Sequence, residues 1–141
     1  MKEKQLQDIT ALYGRLSRDD EVGGESMSIQ SQRAILGQYA KEHGFTNCQF
    51  FMDDGYSGTN FDRPAFTEMM ELVEQRRVRT IIVKDLSRLG RNYLEVGRYT
   101  EVIFPENKVR FIAITDGVDS AAGDNEFAPF KNIINEWYAK D

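Results

Sequence analysis

Two residues that could act on a phosphate stand two positions apart near the start of the chain. Arg15 supplies a guanidinium and Ser17 a hydroxyl, and on an extended backbone such a pair points to the same side. An apolar run before them predicts a buried first strand, and a polar, glycine-rich loop over residues 18–28 follows. This arrangement suits a nucleophile with an anion clamp, because ligands of open α/β sheets bind at the carboxyl ends of strands. A solvated strand end is the alternative for this segment taken alone.

Further arginines follow later predicted strands. Arg63 comes after the second strand, and Arg88 and Arg91 come after the third. In a parallel sheet the loops after the strands share one edge, so these side chains are predicted to converge near Ser17. Guanidiniums are planar, always charged donors that can stabilise the equatorial oxygens of a phosphorane without a metal. The set therefore indicates phosphoryl transfer with serine as the covalent nucleophile.

The sequence does not contain the residues that several other catalytic chemistries need. One histidine, His43, and one cysteine, Cys48, leave no His/Cys cluster for a transition metal and no internal disulfide. The sequence has no Walker A, G-x-S-x-G or G-x-G-x-x-G motif. The adjacent acids Asp53 and Asp54 stand in a glycine-rich loop, where solvated or capping carboxylates are commoner than metal ligands. We expect no metal and no cofactor.

The elements that must position these groups alternate between helix and strand patterns. Strands are predicted from Ile9 and over 45–52, 80–83 and 109–114, and helices over 28–43, from about 62 through 73, over 93–104 and over 125–141. The loops over 53–60 and 115–125 are rich in turn residues, and the first of them is too polar to pack. This order predicts an α/β fold of three layers, with a mostly parallel sheet of four to five strands flanked by helices. The chain would end in the start of a long C-terminal helix.

Size and charge fit one soluble, intracellular domain with a local phosphate site. The 141 residues are 40% hydrophobic and 29% charged, and no apolar run approaches the roughly 18 residues that a membrane span needs. A net charge of −5 by itself argues against a nucleic-acid partner. However, residues 75–92 carry six basic side chains and one acid, whereas residues 116–141 carry six acids and two lysines. This asymmetry permits phosphate binding on an acidic body.

Four motifs in order resemble the catalytic domain of the serine recombinases, the resolvase/invertase family. They are Tyr13-x-Arg15-x-Ser17, Ser28-Ile29-x-x-Gln32-Arg33-x-x-Leu36, Asp54-Gly55-x-Ser57-Gly58-x-x-x-Asp62-Arg63-Pro64 and Leu86-Ser87-Arg88-Leu89-Gly90-Arg91-Asn92. Together they span nearly the whole chain from about Thr10. The continuation Asn92-Tyr93-Leu94-Glu95 and the turn Asp116-Gly117-Val118-Asp119 resemble the large branch, the integrases and transposases of mobile elements.

The resemblance implies a concrete reaction. Ser17 would attack a DNA phosphodiester and form a 5′-phosphoserine link with a free 3′-hydroxyl, using neither a metal nor a nucleotide cofactor. The residues implied for the site are Arg15, Arg63, Arg88 and Arg91 on the scissile phosphate, Gln32 and Ser57 as supporting polar groups, and Tyr13 in the structural frame. The implied partners are DNA and the chain itself, as a dimer and as a synaptic tetramer. The implied setting is the prokaryotic cytoplasm, at the nucleoid during the reaction.

Two departures from the family pattern matter. Smaller resolvases usually carry an acid where this chain has Ser87, and Asp85 is the candidate substitute. The long helix of the family continues beyond position 141, with another active-site arginine and then DNA-binding domains. We therefore expect residues 1–141 to be a catalytic domain from a longer protein, monomeric or weakly dimeric by itself. The aromatic residues over 127–138 would then face a partner subunit.

Two other functions remain open on the sequence alone. The first is a catalytically silent domain of the same fold that only dimerises or docks on DNA, although the presence of Ser17 and the full set of arginines argues against it. The acidic net charge favours a flavodoxin-like enzyme acting on a small phosphate compound. Such an enzyme needs a glycine-rich phosphate loop after the first strand, and Gly23-Gly24 does not have that pattern.

Overall fold

The computed structural model describes residues 8–16, 28–54, 63–89 and 93–121. The strands are β1 Ile9–Leu16, β2 Cys48–Asp54, β3 Val78–Val83, β4 Arg110–Ala113 and β5 Val118–Asp119. The helices are α1 Ile29–Glu42, α2 Pro64–Glu74, α3 Tyr93–Arg98 and α4 Phe104–Glu106, with a 3₁₀ turn over Leu86–Arg88 and a π turn over Tyr99–Ile103. The predicted helix over 125–141 and the loop over 18–27 lie outside the described residues.

The five strands form one sheet in the order β2-β1-β3-β4-β5. All neighbours are parallel except β4 and β5, which run antiparallel. Two interior strands, β1 and β3, are buried along almost their whole length, as is typical of parallel strands covered on both faces. The predicted α/β class with a mostly parallel sheet is confirmed.

Helices cover both faces of the sheet, and each face has its own core. On one face, alternate residues of the strands pack against α2 and against residues 93–106. This larger core includes Ile9, Ala11, Tyr13, Phe51, Phe66, Met69, Ile81, Phe104 and Phe111. The opposite face packs on α1 and includes Leu12, Leu36, Ala40, Ile82 and Ile112. The period of two along each strand therefore sends successive side chains into different cores. This is the predicted three-layer arrangement.

The helix starts follow local rules that the sequence shows. Ser28 precedes α1, and its Oγ accepts a hydrogen bond from the Ser31 N–H at 3.0 Å, which satisfies a donor that the helix leaves unpaired. Gly44 follows α1 with φ +76°, a conformation that favours glycine. Pro64 is the first residue of α2, where its missing N–H costs nothing.

Several predicted boundaries differ from those in the structure. Strand β2 begins at Cys48 and continues through Asp54, because it pairs with β1 as far as Leu16. Asp53 is therefore part of the sheet and only 2% exposed, although it was expected in a loop too polar to pack. The region over 115–125 was expected to be a loop, yet it contains β5, which pairs with β4 through the turn at Asp116 and Gly117.

The third helix was expected to end before Pro105, but helical structure continues to Glu106. A proline in an α-helix loses a hydrogen bond and its ring clashes with the carbonyl four residues before it. Here the turn just before it is a π turn, in which the Phe104 N–H donates to the carbonyl of Tyr99, five residues back. This wider turn accommodates Pro105. No helix in the described ranges combines the length and apolarity needed to cross a bilayer.

Candidate active site

The end of β1 is held by an amide from α1. Beyond Tyr13 the pairing of β1 with β3 stops, and Gln32 takes over: its Oε1 accepts from the Arg15 N–H at 3.1 Å, and its Nε2 donates to the Arg15 carbonyl at 3.0 Å. Both hydrogen bonds are buried, and Gln32 is fully buried as well. The side chain thus replaces a neighbouring strand and fixes the backbone just before Ser17.

Gly14 makes this approach possible. A Cβ atom at Gly14 would lie 2.8 Å from Gln32 Oε1 and 2.6 Å from Met52 Sδ, closer than real Cβ contacts allow. A side chain at this position would push Gln32 away from Arg15. The glycine in the Tyr13-x-Arg15 motif is therefore required by packing against Gln32, a reason that the sequence alone does not show.

Three of the predicted arginines meet at the carboxyl edge of the sheet. Arg15 donates from Nε to the Arg88 carbonyl at 3.3 Å and from Nη2 to the Ser87 carbonyl at 2.6 Å. Arg63 donates from Nη1 to the Arg88 carbonyl at 3.2 Å and from Nη2 to the Leu89 carbonyl at 2.8 Å. Arg88 in turn donates from Nη1 to the Arg15 carbonyl at 2.9 Å. The structure therefore brings Arg15, Arg63 and Arg88 together at this edge; it does not describe Ser17, around which Arg63, Arg88 and Arg91 are predicted to converge.

These guanidiniums are deeply buried, since Arg15, Arg63 and Arg88 are 1%, 0% and 6% exposed. Burial lowers the pKa of Arg63, while the neighbouring Tyr13 and Asp53 oppose the shift. Planar guanidiniums that donate to several carbonyls keep their charge in such a site. The remaining predicted site residues, Ser17, Ser57 and Arg91, lie outside the described residues.

The 3₁₀ turn that carries Arg88 is held by two carboxylates. Asp85 caps the turn: its Oδ1 accepts from the Ser87 N–H at 3.0 Å and also from the Ser87 hydroxyl. Its Oδ2 lies 3.5 Å from Arg88 Nε and 3.3 Å from Lys84 Nζ. Asp116, after β4, accepts from the Leu86 N–H at 2.7 Å. Burial raises the pKa of Asp116, and the nearby Asp85 raises it further.

A third carboxylate, Asp53, lies beneath the cluster. Its Oδ1 accepts from the Ala65 N–H at 2.9 Å, and its Oδ2 accepts from the Phe66 N–H at 3.0 Å and the Tyr13 hydroxyl at 2.9 Å. Burial, assisted by Asp53, raises the pKa of Tyr13 far above its usual value, although Arg63 opposes this. Tyr13 is therefore buried and uncharged, with its hydroxyl bound to Asp53.

The sequence interpretation missed two residues of this site, Asp53 and Asp116. Residues two apart on a strand share a face. Extending the predicted second strand from 52 to 54 therefore places Asp53 on the same buried face as Phe51. Asp116 carries no comparable signal, because its partner is a backbone N–H 30 residues away. Within the described ranges, no three histidine, cysteine, aspartate or glutamate side chains are grouped so that they could hold a metal ion.

Comparison with known proteins identifies the chain's relatives. The model of the family described as "Resolvase, N terminal domain" matches residues 10–140. The N-terminal catalytic domain of TP901-1 integrase superimposes with a TM-score of 0.76 at 25% identity, covering 94% of this chain and 98% of that one. No curated protein is significantly similar in sequence.

Two further solved structures share the fold. A resolvase family site-specific recombinase from Streptococcus pneumoniae has a TM-score of 0.69 at 24% identity, covering 94% of this chain and 89% of that one. The C-terminal catalytic domain of ISC1926 TnpA, an IS607-like serine recombinase, has a TM-score of 0.61 at 23% identity, covering 89% and 78%. The resemblance drawn from the four motifs is confirmed.

Proposed function

The chain belongs to the resolvase N-terminal domain family of serine recombinases, and on that premise we propose that it cleaves and rejoins DNA through Ser17. It is a site-specific recombinase. We assign residues 1–141 to the catalytic domain of a mobile-element integrase or transposase. The similarity to the TP901-1 integrase domain and to the TnpA domain supports this setting.

The observation that carries the proposed route is the cluster of Arg15, Arg63 and Arg88. Arg15 precedes Ser17 by two residues, and its backbone is fixed by Gln32. Donors that are fixed before the reaction and shielded from water stabilise developing negative charge best. Arg15 and Arg63 hold the turn that carries Arg88, and all three add positive charge at this edge.

The proposed step is a direct displacement at phosphorus. Ser17 Oγ forms a bond to the phosphorus of a DNA phosphodiester, while the bond from phosphorus to the 3′-oxygen breaks. The serine proton is lost, and the 3′-oxygen takes up a proton and leaves as a hydroxyl. Arg88 and Arg91 stabilise the equatorial oxygens, with Arg15 and Arg63 behind them and Ser57 as a supporting polar group. The phosphoserine ester keeps the energy of the broken bond for rejoining.

DNA and further copies of the chain are the proposed partners. Breaking and rejoining two DNA sites requires four strand cuts, so we propose a dimer on each site and a tetramer on the paired sites. The reaction needs neither a metal nor a cofactor, because fixed guanidiniums supply the electrostatic stabilisation.

The test uses the full-length protein that the reading frame encodes, with DNA duplexes that cover the ends of its element. A nick close to the cut site prevents rejoining and should trap protein on the 5′ end, visible on a denaturing gel in the presence of a chelator. Digestion and mass spectrometry should locate the phosphoester on Ser17. Ser17→Ala should abolish the adduct, whereas Ser31→Ala, an exposed serine on α1, should not.

Four other outcomes would each count against one part of the proposal. An adduct that survives Ser17→Ala would reject Ser17 as the nucleophile. Loss of the adduct with the chelator would reject metal-free chemistry. DNA binding and dimerisation without any adduct would favour the catalytically silent module. Turnover of a small phosphate compound without DNA cleavage would favour the flavodoxin-like enzyme.

A further inference from the structure

We propose that the amino edge of the sheet, where β1, β3 and β4 begin, carries a binding site for the phosphate group of a small phosphorylated compound. A cavity of about 490 Å³ opens there between the starts of these strands and the loop after α1. A second cavity of about 360 Å³ adjoins it and shares Asp8, Arg79 and Lys108 among its lining residues. The arginine cluster lies at the opposite edge of the sheet and lines neither cavity.

The lining of the two cavities is basic although the whole chain has a net charge of −5. The charged residues that line them are four cations and one acid: Arg76, Arg79, Lys108, Arg110 and Asp8. The basic stretch over residues 75–92 is thus divided between the two edges of the sheet, with Arg88 at the carboxyl edge and Arg76 and Arg79 at the amino edge. An anion is the ligand that such a lining attracts.

Lys108 is the cation in this lining whose charge is not balanced by a neighbour. Arg79 pairs with Asp8 at 3.3 Å, and Arg110 pairs with Asp119 at 2.7 Å. The Lys108 ammonium has neither an ion pair nor a hydrogen bond within the described ranges of the chain. Its charge is therefore available to a ligand.

The backbone of Lys108 adopts a conformation that favours glycine. Its φ is +61°, and it is the second residue after α4, where helices usually place glycine or asparagine. Arg76, the second residue after α2, has the same φ, and its Nε donates to Asn107 Oδ1 beside Lys108 at 3.1 Å. Strained backbone of this kind is a reason to look for function in the side chain. Two cations thus occupy positions for which glycine is the better fit.

Hydroxyl groups line the larger cavity beside these cations. Thr10, Thr80 and Arg110 are register partners across β1, β3 and β4, so their side chains share one face of the sheet. Thr10 Oγ1 donates to the Thr46 carbonyl at 2.9 Å. Thr80 is only 4% exposed, yet its hydroxyl has no hydrogen bond among the described residues. Because buried donors normally have partners, an oxygen of a bound anion would satisfy it.

The shape of the site favours a small phosphate compound over a DNA duplex. Phosphate oxygens accept from ammonium and hydroxyl groups together, and the cavity has the size usual for small-molecule sites, roughly 300–1,000 Å³. Phe45 adds an apolar wall for the rest of the compound. The recessed Thr80 hydroxyl is within reach of a terminal phosphate that enters the cavity, whereas a duplex presents its phosphates on a broad convex surface.

Isothermal titration calorimetry with the full-length protein tests the site, using inorganic phosphate and adenosine monophosphate as probes at low salt. We expect both to bind, the nucleotide more tightly because its body contacts more of the cavity. Lys108→Gln and Thr80→Val should each lower the affinity about tenfold, since each loses one hydrogen bond to a charged group. Asp8→Asn should raise the affinity severalfold, because the carboxylate repels the phosphate.

The charge-matched control is Arg98→Gln. Arg98 is an exposed residue of α3 that lines neither cavity, so this variant should bind both probes like the unaltered protein. Equal weakening by Arg98→Gln and Lys108→Gln would reduce the site to non-specific attraction and overturn the inference. Absence of binding, or displacement of the nucleotide from the Lys108-dependent site by a short DNA duplex, would overturn it as well.

Lys108→Gly separates ligand binding from the needs of the helix end, where a cation is also favoured by the helix dipole. Glycine relieves the left-handed backbone, so urea unfolding should show stability no lower than that of the unaltered protein, while affinity for both probes falls as in Lys108→Gln. A less stable Lys108→Gly with unchanged affinity would assign the lysine to the helix end alone and reject the site.

Discussion

Arg15 and Arg88, which are 73 residues apart, each donate to the other's backbone carbonyl. Arg88 Nη1 lies 2.9 Å from the Arg15 carbonyl, and Arg15 Nε lies 3.3 Å from the Arg88 carbonyl. These two hydrogen bonds join the end of β1 to the turn after β3. They are made by guanidiniums that are also proposed to act on DNA. The site and the local fold share the same hydrogen bonds.

Arg15→Ala and Arg88→Ala should therefore lose both cleavage and stability. Each removes a guanidinium of the proposed phosphate site, at a cost of several kcal/mol in the barrier, on the order expected for other oxyanion donors. Each also removes hydrogen bonds from a charged donor to backbone carbonyls, those of Ser87 and Arg88 in Arg15→Ala and that of Arg15 in Arg88→Ala, so the free energy of unfolding should fall by about 2–4 kcal/mol. Single-turnover cleavage and urea unfolding measure the two effects.

Arg79→Ala is the control for this pair of variants. Arg79 is an exposed residue on β3 whose side chain pairs with Asp8 at 3.3 Å. Exposed ion pairs contribute about 1 kcal/mol or less, so stability and cleavage should both stay close to those of the unaltered protein. Full stability in Arg15→Ala would contradict the fastening role, and full cleavage would contradict the catalytic one.

The layout of this edge is predictable from sequence, because it depends on patterns that repeat. Alternating helix and strand signals require parallel strands, and parallel strands place Arg15, Arg63 and Arg88 at one edge. The partners of these arginines are not predictable, because they are backbone carbonyls supplied by a 3₁₀ turn. The prediction for Asp53 is wrong for a related reason: its polarity indicates a loop, whereas two N–H groups and a hydroxyl from distant segments compensate its burial.

Gly14→Ala should destabilise the protein and weaken cleavage. The new methyl group would overlap Met52 Sδ and Gln32 Oε1; the methionine can move, but Gln32 can move only by giving up its hydrogen bonds to Arg15. We expect a loss of about 1–3 kcal/mol in the free energy of unfolding. The measurement is urea unfolding, with single-turnover cleavage to follow the effect on Arg15.

Gly37→Ala is the opposite case. Gly37 lies inside α1, and a Cβ there would be 3.6 Å from Phe50, an ordinary contact. Alanine is favoured over glycine within a helix by about 1 kcal/mol, so this variant should be more stable and cleave normally. A destabilised Gly37→Ala, or a neutral Gly14→Ala, would contradict the packing described for α1 and β1.

Asp119→Asn should destabilise the protein at neutral pH but not in acid. The hydrogen bond from Arg110 lowers the pKa of Asp119 in the folded state. Its contribution to stability is therefore present above the unfolded-state pKa, about 4, and is lost as the pH falls through the lower folded value. Urea unfolding from pH 7 downward should show the gap between variant and unaltered protein closing only in strong acid.

Asp116→Asn should have the opposite sign. Burial raises the pKa of Asp116, so its charged form lowers stability at neutral pH, and protonation relieves this as the pH falls. Asparagine keeps an oxygen that can accept from the Leu86 N–H but carries no charge. The variant should gain stability at pH 7, and the gain should shrink towards pH 4. A gain that grows in acid would contradict the assigned direction.

Smaller resolvases usually carry an acid at the position of Ser87, and Asp85 is its candidate substitute in this chain. Moving the carboxylate of the 3₁₀ turn from position 85 to position 87 tests this substitution. Asp85 accepts from the Ser87 hydroxyl and lies 3.5 Å from Arg88 Nε. In Asp85→Asn the cap is kept, since asparagine caps as well as aspartate, but Arg88 and Lys84 face an uncharged NH₂ group. We expect cleavage to fall about tenfold, the equivalent of about 1.4 kcal/mol, with little change in stability.

Adding Ser87→Asp to Asp85→Asn should restore most of the cleavage rate, because the carboxylate returns to the same turn beside Arg88. Ser87→Asp alone should lower stability instead, since it places a second carboxylate against Asp85. Ser87→Ala, which leaves the Asp85 contact with Arg88 in place, should cleave at close to the normal rate. If the double variant is no better than Asp85→Asn, the carboxylate acts only from position 85; if Asp85→Asn cleaves normally, Arg88 needs no acid partner.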